Sequence, residues 1–407
     1  MSADARSGTA AGSQGASLSD NERALIAAVD PARVESDLRA VVAVPSVTGD
    51  EGPVQDLMAA LMALAGLAVE RVETDPAALA RDPDFPGTEM PRDRLPVVAG
   101  RIRGARPGPR ILLVAHVDVV PPGDPSTWTT PAFTPDVRGG DLYGRGANDM
   151  KGGVVAGLAA IRALAAVVGP ADLVGEAVFV TVPAEEDGGA GMLAAIRAGF
   201  VGEMAVITEP TNLDIVVTQA GAITFRLVVP GKAAHASMRR HGVSALEKLE
   251  FLHAALRADE TARNEAETDP RMRALGLPYP TIIGRVSGGD WASTVPDRII
   301  AEGRYGVRAG QTSEEAEADL RACIGVASAA DPFLRAHPVG VEVFGGRFDS
   351  ARADPDAPLA TGLRDTAEAV DGRRPSFVGV PYGADMRLLV NEGATPTVIF
   401  GPGDPRY

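Results

Sequence analysis

Cysteine is almost absent from this 407-residue chain. Cys323 stands alone, so no intrachain disulfide framework exists. It sits in a helix-patterned stretch and reads as a small buried apolar side chain. No run of about 18 uninterrupted apolar residues occurs, so no membrane-spanning segment is expected. The N-terminus lacks the charged-then-apolar pattern of a secretory signal, and a cytoplasmic protein is the expectation. Positive charge is outnumbered, 39 Lys and Arg against 54 Asp and Glu, for a formal net charge of −15. That balance argues against nucleic acid and against an anionic membrane surface as partners. Lysine is rare beside arginine, a compositional bias without functional content. No internal repeat is visible. Histidine is also scarce: there are five, and none follows His337.

What the chain does have is concentrated in residues 110–153. Residues 111–115 (ILLVA) are continuously apolar, the pattern of a strand buried on both faces. This strand delivers His116 and Asp118 at its C-terminal end, the edge of an open α/β sheet where ligands bind. Two residues apart on extended chain, both side chains point to one side. The Asp118 carboxylate is then placed to accept the second ring N–H of His116 and make the other nitrogen a better metal ligand. A glycine-rich loop brings in Asp149 just before a helix-like run. A second apolar strand, 177–182, ends in Pro-Ala-Glu185-Glu186-Asp187, and a third, 205–208, ends in Glu209-Pro210. Alone, a His-x-Asp pair fits a turn or a surface pair, and adjacent glutamates fit a solvated loop. Together, the strand ends gather one imidazole and several carboxylates, a donor set suited to Zn²⁺, Co²⁺ or Mn²⁺.

The segments HVDVVP, GRGANDMKGG, PAEED and ITEP, in this order, resemble the zinc-dependent aminoacylase, acetylornithine deacetylase and succinyl-diaminopimelate desuccinylase family of co-catalytic metallohydrolases. The resemblance covers roughly residues 37–407. It implies two Zn²⁺ ions per subunit, with Co²⁺ or Mn²⁺ as substitutes, bridged by Asp149. His116 and Glu209 would be terminal ligands of one ion and Glu186 a ligand of the other. Glu185 would be the general base, Asp118 the residue behind His116, and His235 an oxyanion stabiliser reaching the neighbouring subunit's site. It also implies a cis peptide after Asp149. A substrate carboxylate would meet an arginine, for which Arg304 and Arg308 are the candidates, with Gly383 a further candidate contact. The expected activity is hydrolysis of an N-acyl amino acid or small peptide, most like an acetylornithine deacetylase. The family's final histidine ligand would follow residues 398–403, and the chain holds none there. The expectations are a sequence that stops before that ligand or, alternatively, a degenerate site that binds a small ligand without turnover. Asp385 is the first candidate to complete the site in its place.

The expected fold is α/β. A mixed-sheet, zinc-peptidase-type catalytic domain with helices on both faces spans 20–218 and 335–407, and a ferredoxin-like α+β lid is inserted at 219–334. The lid follows from a strand–helix–strand–strand–helix–strand order after Glu209. The resemblance implies homodimerisation through it. Residues 1–19, rich in Ala, Gly and Ser, are expected to be disordered. Residues 75–96 read as an extended surface loop near the cleft, and 95–102 and 111–115 as a directly paired hairpin.

Overall fold

A computed structural model describes residues 18–406. The expected disordered segment 1–19 lies outside them except for Leu18 and Ser19. Ser19 is ordered, because it caps the helix Asp20–Ala27 in a reciprocal capping box with Glu22.

Among the described residues fifteen strands follow in chain order: β1 Ala68–Thr74, β2 Leu95–Arg103, β3 Arg106–His116, β4 Asp136–Arg138, β5 Asp141–Tyr143, β6 Val174–Val182, β7 Met204–Ile207, β8 Ile215–Gln219, β9 Gly221–Pro230, β10 Thr281–Gly288, β11 Arg298–Val307, β12 Gly340–Phe348, β13 Ala351–Arg352, β14 Phe377–Val380 and β15 Thr397–Ile399. A nine-stranded sheet runs β1-β2-β6-β3-β7-β15-β8-β13, with β14 also on β8. It is mixed: β3 pairs in parallel with β6 and β7, while β2 is antiparallel to both β1 and β6. Its central strands are buried on both faces: Leu112, Val114, Val178, Val180, Ala205 and Ile207 on one, and Ala115, Phe179 and Val206 on the other. This puts the C-terminal ends of β3, β6 and β7 side by side.

The expected β2–β3 hairpin is not a direct pair, because β6 enters between the two strands. The connecting turn allows it. A Cβ on Gly104 would stand 2.2 Å from the Leu173 carbonyl oxygen, so the incoming chain passes where any side chain would block it.

The helix Gly152–Val167 follows Asp149 and buries Val154, Val155, Leu158 and Ile161 against the sheet. Together with the preceding turn, residues 147–167 are long and apolar enough to cross a membrane by length and composition alone; 56% of the most apolar window is buried inside the fold, as in a core helix. A Cβ on Gly153 would stand 1.9 Å from the Thr208 carbonyl oxygen at the end of β7. Gly153→Ala is therefore expected to destabilise the chain by about 3 kcal/mol, the upper range for overpacking. A lower urea midpoint at unchanged slope would register it.

The four-stranded sheet, ordered β10-β11-β9-β12, is covered by the helices Ala245–Glu265 and Ser313–Ala330 around Phe225, Leu227, Leu252, Leu256 and Leu320. Its fourth strand is β12, so the unit extends past residue 334, the expected boundary, to Phe348. Strand β9 is central and needs a partner on each edge; β11 and β12 supply them. Phe348 stacks over the buried Arg387 guanidinium at 4.2 Å, and Arg387 donates to the Gly188 and Ala384 carbonyls at 2.6 and 2.9 Å. The loop 75–96 is not wholly surface. The Arg92 side chain, itself 3% exposed, bridges Glu51 and Asp187, each at 3.0 Å.

Candidate metal centre

The three strand ends meet as the apolar runs require. His116 closes β3, 2% exposed, and its backbone N–H donates to the Met150 sulfur at 3.1 Å. Its Nε2 lies 3.2 Å from Asp149 Oδ1 and 3.4 Å from Glu209 Oε1. Its Nδ1 is 3.0 Å from the backbone carbonyl of Asp118 and 3.5 Å from that residue's carboxylate. The closer ring partner is thus the Asp118 main chain rather than, as the spacing suggested, its side chain. The fully buried Asp118 carboxylate accepts the Glu185 and Glu186 backbone N–H groups, each at 3.1 Å, and the Thr48 hydroxyl at 3.0 Å. It clamps the end of β6 to the end of β3.

Ala184 makes this possible by adopting φ 65°, a left-handed conformation uncommon outside glycine. The chain turns there, so consecutive amides face Asp118 while the two glutamate side chains diverge. Asp149 sits in a kinked turn before the helix Gly152–Val167, and the Asp149–Met150 peptide is cis.

Two overlapping clusters result, each with ligand atoms within 4.8 Å of one another: His116, Asp149 and Glu186; and His116, Glu185 and Glu209. His116 is the only histidine in either cluster among the described residues. Asp385, 2% exposed, lies alongside, and its Oδ1 has no hydrogen-bond partner.

The charges are out of balance. Burial, reinforced by Asp385, Glu209 and Glu186, pushes the Glu185 carboxyl well above the ordinary range. Burial and the neighbouring carboxylates raise Glu209 likewise, Glu186 to about 7, and Asp385 to about 7. Burial works against a charged His116, yet Glu209, Asp118 and Asp149 hold its pKa well above the usual value. For Asp149 the burial penalty is outweighed by His116, and its carboxyl is lowered. Crowded carboxylates with one imidazole and an unpartnered buried oxygen make a donor set that divalent cations would neutralise. The residues present therefore fit a metal centre of the Zn²⁺, Co²⁺ or Mn²⁺ type.

Of the substrate-arginine candidates, Arg304 and Gly383 line a cleft of about 230 Å³ that also contains Glu186 and Tyr382. Arg308 lies in a separate pocket beside Asp319 and Arg352. His235 is exposed, and its Nδ1 accepts from the Ser237 hydroxyl at 2.8 Å and amide at 3.2 Å. A neutral ring then carries its proton on Nε2, the form that can donate to an oxygen. Among the described contacts His235 has none with the cluster of its own chain. The sequence reading missed Lys151 and Tyr382. Lys151 is fully buried behind Asp149, donates to the Val44 carbonyl at 2.9 Å, and is pushed down by burial to about 8.

The chain is 32% identical over 370 residues to a succinyl-diaminopimelate desuccinylase of Methylobacterium sp. (strain 4-46), covering 88% of this chain and 85% of that protein. A desuccinylase of Methylorubrum extorquens (strain PA1) is 29% identical, with 89% of each covered. Among solved structures, an M20 family metallo-carboxypeptidase of Sulfolobus solfataricus superposes with a TM-score of 0.68 at 16% identity, covering 91% of this chain and 94% of that one. A dinuclear metal-binding M20 peptidase of Bacillus subtilis superposes at 0.54 and 16% identity, covering 91% and 88%. Residues 112–407 match peptidase family M20/M25/M40. The strands that carry every cluster residue lie within or at the edge of that match, and the chain belongs to this family of amide-bond hydrolases.

Proposed function

We propose that this chain is a two-metal deacylase that cleaves the amide bond of an N-acyl amino acid or small peptide. The observation that carries the reading is Glu185. It is 7% exposed, its amide is fixed by Asp118, and its carboxyl sits in one cluster with His116 and Glu209. A binding protein has no use for a buried base beside its ligands. Asp149, His116, Glu186 and Glu209 would hold the cations. When bound, such ions polarise an amide carbonyl and make a water more acidic. Glu185 then takes the proton of the attacking water and returns it to the departing amine.

Arg304 would hold the carboxylate of the amino acid. Its guanidinium has one hydrogen bond, to the Pro381 carbonyl at 3.1 Å, and faces the cleft beside Glu186. His235 would act across a homodimer. The exposed edge strand β10, with Ile282 and Val286 59% and 51% exposed, supports a pairing surface. The acyl group is drawn from the relatives: the desuccinylases favour a succinyl-type group over the acetyl group of an acetylornithine deacetylase.

The test is a screen of N-acetyl and N-succinyl amino acids and dipeptides with added Zn²⁺, Co²⁺ or Mn²⁺. Amine release that depends on metal and stops on chelation is expected. Saturable binding of these compounds without release would replace the deacylase with the ligand-binding reading.

A further inference from the structure

A second cavity also reaches Glu186. It measures about 890 Å³ and is lined by Trp128, Thr130, Tyr143 and Arg145 together with Asp149 and Glu186. Glu186 also lines the smaller Arg304 cleft. Two cavities thus share Glu186, and a substrate at Glu186 has one for each arm. With the amino acid's carboxylate at Arg304, the acyl arm falls to the larger cavity.

That cavity contains two arginines, and they differ. Arg138 is committed: its guanidinium binds Asp136 at 2.6 Å and the Thr130 hydroxyl at 2.7 Å. Arg145 is not. It has no carboxylate partner among the described residues. Among the described residues its guanidinium makes one hydrogen bond, to the Pro121 carbonyl at 3.4 Å, and its Nε is buried without a partner. The guanidinium stacks over the Trp128 ring at 5.3 Å, and the indole N–H is fixed to the Pro122 carbonyl at 2.8 Å. A planar donor fork held against an anchored aromatic face is oriented before any ligand arrives. A carboxylate is the group that matches such a fork with two parallel hydrogen bonds. The indole and the neighbouring Val120 and Leu142 offer apolar contact to a short methylene chain.

We propose that Arg145, oriented by Trp128, reads a carboxylate at the far end of the acyl arm, so that monoamides of short dicarboxylic acids are preferred over plain acyl amides. The placement of the arm rests on the deacylase reading; the recognition itself does not require turnover.

Two experiments test it on the full chain. The chain has two tryptophans, and Trp291 is 74% exposed, so Trp291→Phe leaves Trp128 as the sole indole reporter. Succinamate and butyramide match in length and differ by the carboxylate. Succinamate should shift Trp128 emission saturably and butyramide should not. Arg145→Met should abolish the response, and Arg145→Lys should retain part of it. In turnover, Arg145→Met should raise KM for an N-succinyl amino acid roughly tenfold to a hundredfold, the range for a lost charge-assisted hydrogen bond. Its kcat should stay within about twofold, the signature of lost uniform binding. KM for the N-butyryl analogue should not move. Equal losses on both substrates would overturn the proposal and leave Arg145 as a prop for the Pro121 loop. So would a Trp128 response that ignores the carboxylate, or no response to succinamate. A succinamate response in a chain that hydrolyses neither substrate would sink the deacylase reading and leave this one standing.

Discussion

Replacing Glu185 by glutamine is expected to cut turnover by about 10²–10⁴, the usual cost of losing a general base, while leaving metal content intact. The amide has nearly the shape of the carboxyl, so the packing around this 7% exposed side chain is kept. The backbone clamp on Asp118 involves the amide N–H and is untouched. What disappears is the capacity to accept a proton. The experiment also separates two assignments that geometry leaves equivalent. Glu185 clusters with His116 and Glu209, and Glu186 with His116 and Asp149. Elemental analysis beside a rate measurement tells them apart: a variant that loses metal yet keeps its rate would exchange the roles of Glu185 and Glu186.

Asp118→Ala should be the most damaging single change to the scaffold of the site. It removes the acceptor of two buried amides and of the Thr48 hydroxyl at one stroke. A buried donor left unpaired costs about 1–3 kcal/mol, so a loss of about 3 kcal/mol or more in unfolding free energy is expected. Turnover should fall by at least about 10², because the Glu185–Glu186 turn is no longer fixed to β3 and small misplacements of catalytic groups are expensive. Metal affinity should fall less, by about tenfold at the lower end for residues behind a ligand. The His116 ring keeps its nearest partner, the residue 118 carbonyl at 3.0 Å, whatever the side chain. Urea unfolding, metal titration and kcat together check this. A variant with normal kcat and stability but weak metal binding would show that Asp118 acts through His116 alone.

Much of this was readable before any coordinates. The meeting of His116, Glu186 and Glu209 was legible because each follows a run whose apolar continuity demands a central strand, and strands of one parallel set end at one edge; Asp149 arrives instead on a glycine-rich loop and was legible through the resemblance. The rest depended on neighbours distant in sequence. Nothing in residues 95–116 announces that β6 will separate β2 from β3; that is decided by the glycines at the turn and by a strand some sixty residues later. The lid boundary expected at 334 falls short because the fourth strand of the small sheet, β12, lies beyond it at Gly340–Phe348. Arg304 and Arg308 are equivalent as letters, and only the sheet decides which of them meets the cleft. The Asp118 carboxylate was read as serving the imidazole two residues away, whereas its strongest partners come from residues 48, 185 and 186. Arg145 and Trp128 were inside the motif-bearing stretch, but an arginine's lack of a partner is a three-dimensional fact.

The seat of Phe348 bears on modularity. The four-stranded unit looks like a cassette that a relative's version could replace, joined to the large sheet at Gly221 and after Phe348. The joint is not passive. A Cβ on Gly221 would lie 1.9 Å from the Phe348 carbonyl oxygen, and one on Gly383 would lie 2.6 Å from the Phe348 Cβ. Phe348 also covers the Arg387 guanidinium, which is 2% exposed and holds the chain just beyond Glu185 and Glu186 through the Gly188 carbonyl. A graft cut at residue 334 would split the small sheet. One cut cleanly at 348 but carrying a different final residue would strip the cover from a buried cation beside the glutamates. The two units are therefore exchangeable only together with their shared seam: Gly221, Phe348, Gly383 and Arg387 have to travel as a set.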